Sequence, residues 1–411
     1  MSATEAKLTQ IVLDACDALA CETEVAGEIN RPFLCPCTAT VHAYLRGWAD
    51  RLGMSTRVDA VGNLRSRKET ALAGAPTLYI GSHLDTVPNA GKYDGILGVV
   101  MGYALVEALG EKTLPYSIEV VGFSEEEGVR FGVPFIGSRA LVGTADDMLA
   151  LQDAGAMTVR DAIRSYGLDP DGLNEAEVQG DPLGYFEIHI EQGPVLQDLG
   201  AALGVVEAIA GQNRFLFRFE GRASHAGTTP MNLRRDALAA AARFAVEAEQ
   251  VARDTPGLVA TVGVMQAEPG AINVVPDVVN ASLDIRHARD EVRQQAVKHL
   301  LDALHEFCRE RGVTVDITPK MEEAATPMSE PFKTLLHQAA GELGLTHPEL
   351  VSGAGHDAQI MATKMPSAML FVRSPNALSH HPDEMVNRED ITEALRVGTR
   401  FLELLAGQVK A

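Results

Sequence analysis

Aromatic residues, cysteine and positive charge are all scarce in this chain of 411 residues, and each scarcity excludes something. Phe, Trp and Tyr make up 5% of it, so a core must be built mainly of Ala, Val, Leu and Ile. The five cysteines, Cys16, Cys21, Cys35, Cys37 and Cys308, are odd in number and too sparse to staple a chain of this length. Cys35 and Cys37 have the spacing of a metal or redox pair, but one pair without a second reads as two ordinary cysteines. Lys and Arg number 35 against 56 Asp and Glu, giving a net charge of −21. No basic run could follow a phosphate backbone, which excludes nucleic acid as a partner. No apolar run reaches the ~18 residues of a membrane span. The N-terminal stretch lacks the basic and apolar regions of a secretory signal and reads as an amphipathic helix. A cytoplasmic enzyme that does not touch membrane is the expectation.

What is present is the rhythm of an α/β protein. At roughly 100–200 residues per domain, the length predicts two domains. Short apolar runs at 77–80, 117–123, 185–190 and 368–372 read as buried strands. Helical patterns at 39–52, 96–109 and 391–405 alternate with them, which predicts a mostly parallel sheet. The middle differs. Strands at 214–220, 258–267, 278–286 and 313–318 and helices at 233–251 and 291–311 follow the order β-α-β-β-α-β of a ferredoxin-like unit. The simplest organisation is a discontinuous domain of 1–210 and 327–411, with 211–326 inserted as an α+β lid or dimerisation domain.

Four clusters of His, Asp and Glu lie at the ends of the four apolar runs. His83 and Asp85, two apart, point the same way in extended chain. His83 could ligate a metal while Asp85 fixes its ring tautomer. Asp94 follows just before a helix, where a helix cap is the alternative. Glu125, Glu126 and Glu127 are three adjacent carboxylates that repel one another unless a cation is near or the loop is solvated. His189 ends the third run, with Glu191 and Gln192 after it, and His380 and His381 follow the fourth. Sites on open α/β sheets gather at the carboxyl ends of strands. Taken together, these residues suit a pair of divalent metals with mixed N and O ligands. The inserted segment adds His225, a plausible oxyanion donor, Asn273, and Arg286, which could grip a carboxylate or form a surface salt bridge. Gly355 and His356 sit in a Gly-rich loop that would let backbone approach a ligand closely.

The motifs GSHLDTV with KYDG, SEEEGVRF with GSR, HIEQGPVL, GQ with SHAGTTPM and RRDA, NVVP with DIR, SGAGHDA, and SHHPDE occur in that order. Together they resemble the dinuclear-metal amidohydrolases of ureido acids: allantoate amidohydrolases, N-carbamoyl-L-amino-acid hydrolases and β-ureidopropionases, related to aminoacylases and metallo-carboxypeptidases. The resemblance implies that Asp94 bridges two divalent ions, Zn²⁺ or Mn²⁺ first and Co²⁺ or Ni²⁺ next. His83 and His189 would complete one site, and Glu127 and His380 the other. Glu126 matches the general base, which leaves Glu125 as the spare. His225 matches a transition-state-stabilising His supplied by the partner of a homodimer. Gln192, Asn273 and Arg286, with Gly355 and His356, match substrate-binding positions.

The implied activity is hydrolysis of the carbamoyl C–N bond of a small ureido acid. The polar set Gln192, Gln212, Asn213, His356 and Gln359 favours allantoate, whose second ureido group needs hydrogen-bond partners. An N-carbamoyl-L-amino-acid hydrolase or β-ureidopropionase is the nearest alternative. A non-catalytic metal-binding descendant is the alternative of a different class, and a scaffold of that kind would not need Glu126.

Overall fold

The computed structural model describes residues 3–409, and the chain divides into two compact units. The first comprises Met1–Glu207 and Met328–Ala411, the second Ala208–Pro327. In chain order the first unit opens with helices α1 (Ala3–Ala20) and α2 (Thr38–Arg51) and strands β1 (Ser55–Val58), β2 (Leu64–Lys68) and β3 (Thr77–His83). Helix α3 (Ile96–Leu109), strand β4 (Ser117–Phe123), helices α4 (Ile136–Val142) and α5 (Val159–Tyr166), and strand β5 (Pro182–Ile190) follow. A short helix α6 (Val195–Asp198) precedes β6 (Leu203–Ile209).

The second unit holds β7 (Gly211–Glu220), β8 (Ser224–His225), α7 (Ala237–Asp254), β9 (Val259–Thr261), β10 (Met265–Glu268) and β11 (Val274–Val275). It continues through β12 (Val278–His287), α8 (Asp290–Arg311) and β13 (Thr314–Glu323), and β14 (Thr326–Pro327) leads out of it. The chain ends through α9 (Glu330–Glu342), β15 (Glu349–Ser352), α10 (Asp357–Met361), β16 (Ser367–Val372) and α11 (Arg388–Ala406).

The four apolar runs are neighbours, in the order β4-β3-β5-β16, and all three pairings are parallel. Antiparallel β2 and β6 flank them. Alternation along the strands sorts the side chains into two sets. Leu78, Ile80, Ile118, Val120, Phe186, Ile188, Ala368 and Leu370 join the core shared with α1, α2, α3, α9 and α11. The alternate residues, Tyr79, Tyr185, Glu187, His189 and Phe371, face the other way, and His83 ends β3 in that same phase. The period of two thus directs both histidines away from the helical core.

The second unit is ferredoxin-like, with antiparallel order β10-β12-β7-β13. Phe215, Phe217 and Phe219 of β7 and Val279, Leu283 and Ile285 of β12 pack with α7 and α8. Three of the departures from the sequence expectation are informative. The single strand at 258–267 is broken, because the Val264 N–H donates to the Ser282 hydroxyl rather than to a ladder carbonyl. Helix α7 starts late, at Ala237, where the Asp236 carboxylate accepts from the Ala239 N–H as an N-cap. β13 outruns its expected end at 318, reaching Glu323 past a register shift between Pro319 and Met321.

Candidate metal centre

His83 and His189 are almost fully buried at the ends of adjacent parallel strands, with ring centroids 5.7 Å apart. Each Nδ1 lies 2.9 Å from a backbone carbonyl, that of Asp85 for His83 and that of Ile190 for His189. A carbonyl only accepts, so each Nδ1 carries the proton and each Nε2 is turned inward. The inward partner is one oxygen of Asp94. Oδ1 lies 3.5 Å from His83 Nε2 and 3.2 Å from His189 Nε2. The other oxygen, Oδ2, lies 3.3 Å from His380 Nε2, which is in turn 3.5 Å from Glu127 Oε1. Asp94 therefore stands between a His–His pair and a His–Glu pair. It is not a helix cap: Gly95 occupies that position, with φ +69°, and a Cβ there would come within 2.4 Å of the His83 ring.

The rest of the Glu triplet is sorted by burial. Glu126 brings a carboxylate near His83 and Glu127, close enough for the three to share a cation. Burial, reinforced by Glu127, Asp357 and Asp85 and opposed by His83, holds its carboxyl well above the ordinary range. Glu127 rises to about 7, by burial first and then through Asp94 and Asp85, against His83 and His380. Glu125 is fully buried. Burial and the charges of Asp85 and Glu127 push its carboxyl well up.

Asp85 corrects an expectation. Its backbone carbonyl, not its carboxylate, holds the His83 ring; Oδ1 is 3.6 Å from Nδ1, too far for a hydrogen bond. The carboxylate instead accepts from the Glu126 N–H at 2.9 Å and the Glu127 N–H at 3.0 Å. Those amides lie just past the end of β4, and Asp85 fixes the loop that carries the two glutamates. Gln192, expected to bind substrate, lies beside Asp94, and its Oε1 has no hydrogen-bond partner among the described residues. With φ +59°, it donates through Nε2 to Asp94 Oδ2 (3.1 Å) and to the Ser379 hydroxyl (3.0 Å). His356 is buried, 2% exposed, and its ring meets His189 edge-on at 4.4 Å. Because the Ser352 hydroxyl donates to Ala354 O, His356 Nε2 must donate to Ser352. Burial first, then the neighbouring His189, holds the His356 ring well below the ordinary imidazole range. It packs edge-on against the His189 ring. Gly355 precedes it, where a Cβ would come within 3.0 Å of the Phe135 ring.

Three residues of the site were not assigned from the sequence. Glu187 accepts from the Ser82 and Tyr185 hydroxyls and the Ala358 N–H, two residues before His189 on the same face. That spacing of two was its available signal. Glu384 Oε1 accepts from the Tyr93 N–H at 2.8 Å and the Asp94 N–H at 3.0 Å, so it fixes the backbone beneath the shared carboxylate. It ends the SHHPDE motif. Asp357, fully buried in the GHDA run, is pushed well above its ordinary value by burial and by Glu187.

His225, Asn273 and Arg286 belong to the second unit. His225 is exposed and pairs with Val274 across β8 and β11, and its Nδ1 accepts from the Gly227 N–H at 3.0 Å. In the neutral ring this leaves the proton on Nε2, an outward donor. Asn273 accepts from the Ala226 N–H at 2.9 Å, which ties the two segments together. Arg286 departs from a simple substrate grip, since its Nε and Nη2 already donate to both oxygens of Asp284, at 2.7 and 2.9 Å.

These donors fit divalent cations. Asp94 Oδ1 and His189 Nε2 are buried without a hydrogen-bond partner, and burial-opposed carboxylates crowd around imidazoles turned inward. Such a surplus of negative charge is what a bound cation balances. A metal-dependent hydrolase is the class that this fold and this donor set define. The chain belongs to peptidase family M20/M25/M40, which it matches over residues 79–404. It is similar to an N-carbamoyl-L-amino acid amidohydrolase of Geobacillus stearothermophilus, at 40% identity over 85% of this chain and 86% of that one. It is also similar to an allantoate deiminase of Arabidopsis thaliana, at 36% identity over 94% of this chain and 80% of that one. A solved amidase of the hydantoinase/carbamoylase family from Burkholderia multivorans superposes with a TM-score of 0.91 at 30% identity, covering 97% and 98% of the two chains.

Proposed function

We propose that the chain hydrolyses the carbamoyl C–N bond of a small ureido acid, with allantoate as the preferred substrate and two divalent cations bound per subunit. The observation that carries this reading is the division of Asp94: one oxygen faces His83 and His189, the other His380, with Glu127 beside it. When bound, the cations supply Lewis acidity towards the ureido carbonyl and lower the pKa of water. Glu126 takes the proton of the attacking water and delivers it to the leaving nitrogen. Asp85 and Glu384 hold the loops that present Glu126, Glu127 and Asp94. His225 donates from Nε2 to the oxygen on which charge develops, acting from the partner of a homodimer. Arg286, aligned by Asp284, binds the substrate carboxylate, with Asn273 and Gln192 ordering the remaining polar groups. The carbamate formed then breaks down to CO₂ and ammonia.

In this reading the first unit is catalytic and the second is the lid and dimerisation unit. Its exposed apolar residues support that role, among them Val246 at 68% and Val259 at 59% exposure. The identity of 40% to an N-carbamoyl-L-amino acid amidohydrolase favours a second substrate class. Side-by-side kcat/KM for allantoate, N-carbamoyl-L-methionine and N-carbamoyl-β-alanine decides between them. A preference of about tenfold or more for the methionine derivative would overturn the allantoate assignment.

A further inference from the structure

Arg31, in the segment after α1, is 2% exposed. Its guanidinium donates to three backbone carbonyls: Leu84 from Nε at 2.5 Å, and Leu19 and Glu22 from Nη1 at 3.1 and 2.8 Å. Its backbone holds the same loop a second time. The Arg31 N–H donates to the Thr86 hydroxyl at 2.9 Å, and the Thr86 N–H donates to the Arg31 carbonyl at 3.0 Å. Two residues earlier, the Ile29 carbonyl accepts from the Ala90 N–H at 3.0 Å. The segment 29–31 is thus fastened along 84–90, which lies between His83 and Asp94 in the chain.

Burying a cation against carbonyls is costly, and an apolar side chain of similar volume would avoid that cost. What the guanidinium does that an apolar chain cannot is reach in two directions. Nη1 meets Leu19 in the last turn of α1 and Glu22 just past it, at the helix end where the dipole favours positive charge. Nε meets Leu84 on the other side. Leu84 and Thr86 flank Asp85, whose carbonyl fixes the His83 ring and whose carboxylate accepts from the Glu126 and Glu127 amides. Arg31 therefore holds both neighbours of the residue that aligns one metal-facing imidazole and two glutamates. We propose, on the two-cation reading above, that Arg31 is a positioning residue of the metal centre, acting on His83, Glu126 and Glu127 through Asp85. Its loss leaves every candidate ligand present and frees the 84–86 turn that aligns them.

The test is Co²⁺ binding to the chelator-stripped full chain, read by competition with a chromophoric chelator and by the visible absorption of the bound ion, which reports its ligand geometry. Arg31→Gln, too short to span Leu84 and α1 together, should weaken binding by about 10–100-fold and alter the absorption. Thr86→Val removes only the acceptor of the Arg31 N–H and should shift both readings the same way by less; it carries the test if Arg31→Gln does not fold. Thr9→Val is the control for general destabilisation. It removes the hydroxyl that meets Thr392 of α11 at 2.9 Å, and should lower the Tm of the stripped protein without moving either Co²⁺ reading. Unchanged affinity and absorption in Arg31→Gln and Thr86→Val, with only the Tm lowered, would overturn the proposal, as would an equal loss of affinity in Thr9→Val. A parent chain that binds no Co²⁺ would overturn the two-cation reading, and the role of Arg31 with it.

Discussion

Glu126 and Glu125 are adjacent in sequence but opposite in setting, and substitution separates them. Glu126→Gln should leave metal content and fold intact while cutting turnover by about 10²–10⁴, the usual scale for a general base. Glu125→Gln replaces a fully buried carboxyl, held well above its ordinary range and outside the metal-holding groups, with an amide of the same shape, and should change turnover little. Steady-state kinetics with elemental analysis of both variants checks this, and a reversed order would reassign the base. Glu384 is the other informative residue. Glu384→Ala removes the acceptor of the Tyr93 and Asp94 amides and should weaken metal binding by about 10–100-fold, the range for residues that orient ligands. Competition with a chromophoric chelator measures it, and an unchanged affinity would deny Glu384 that role. Legibility at this scale was uneven. Residue type and position beyond a strand picked out the four His/Asp/Glu clusters, the family resemblance narrowed them to His83, Asp94, Glu127, His189 and His380, and the structure brings these together. The roles of Asp85, Gln192, Glu187 and Glu384 turn on which atom of a side chain or backbone reaches which amide, and spacing alone does not carry that.

Among the elements, the strands that bear the site were the most legible. Buried parallel strands read as continuous apolar runs, so β3, β4, β5 and β16 stand out, and α3 falls on its expected bounds. The break between β9 and β10 was hidden, because a hydroxyl that captures one amide leaves no trace in hydropathy. Helix α2 carries a titration that bears on stability. His42 is buried with Nε2 unpartnered, and burial, aided by Arg46, lowers its pKa to about 4. In the unfolded chain it titrates near 6.5. Between those values the unfolded chain binds a proton that the folded one does not, so stability falls as pH falls through that window. The loss is on the order of 3 kcal/mol at the acid end. His42→Phe should flatten the dependence of Tm on pH from 7 to 4 relative to the parent. Parallel curves for the two proteins would contradict the assignment.

For the whole molecule, the proposed composite site predicts complementation. His225→Ala and Glu126→Gln proteins, each inactive alone, should regain part of their activity when subunits exchange, because one site in the mixed dimer keeps both residues. Absence of recovery despite demonstrated exchange would place His225 outside a shared site. The central claim is that catalysis runs through cations held on the two sides of Asp94. Its most direct measurement is ammonia release from allantoate and from N-carbamoyl-L-methionine by chelator-stripped protein titrated with Mn²⁺ or Zn²⁺, with metal content determined by elemental analysis. The account predicts no release without metal, saturation at two ions per chain, and no restoration in Asp94→Asn. Full activity in protein shown to be metal-free would contradict it.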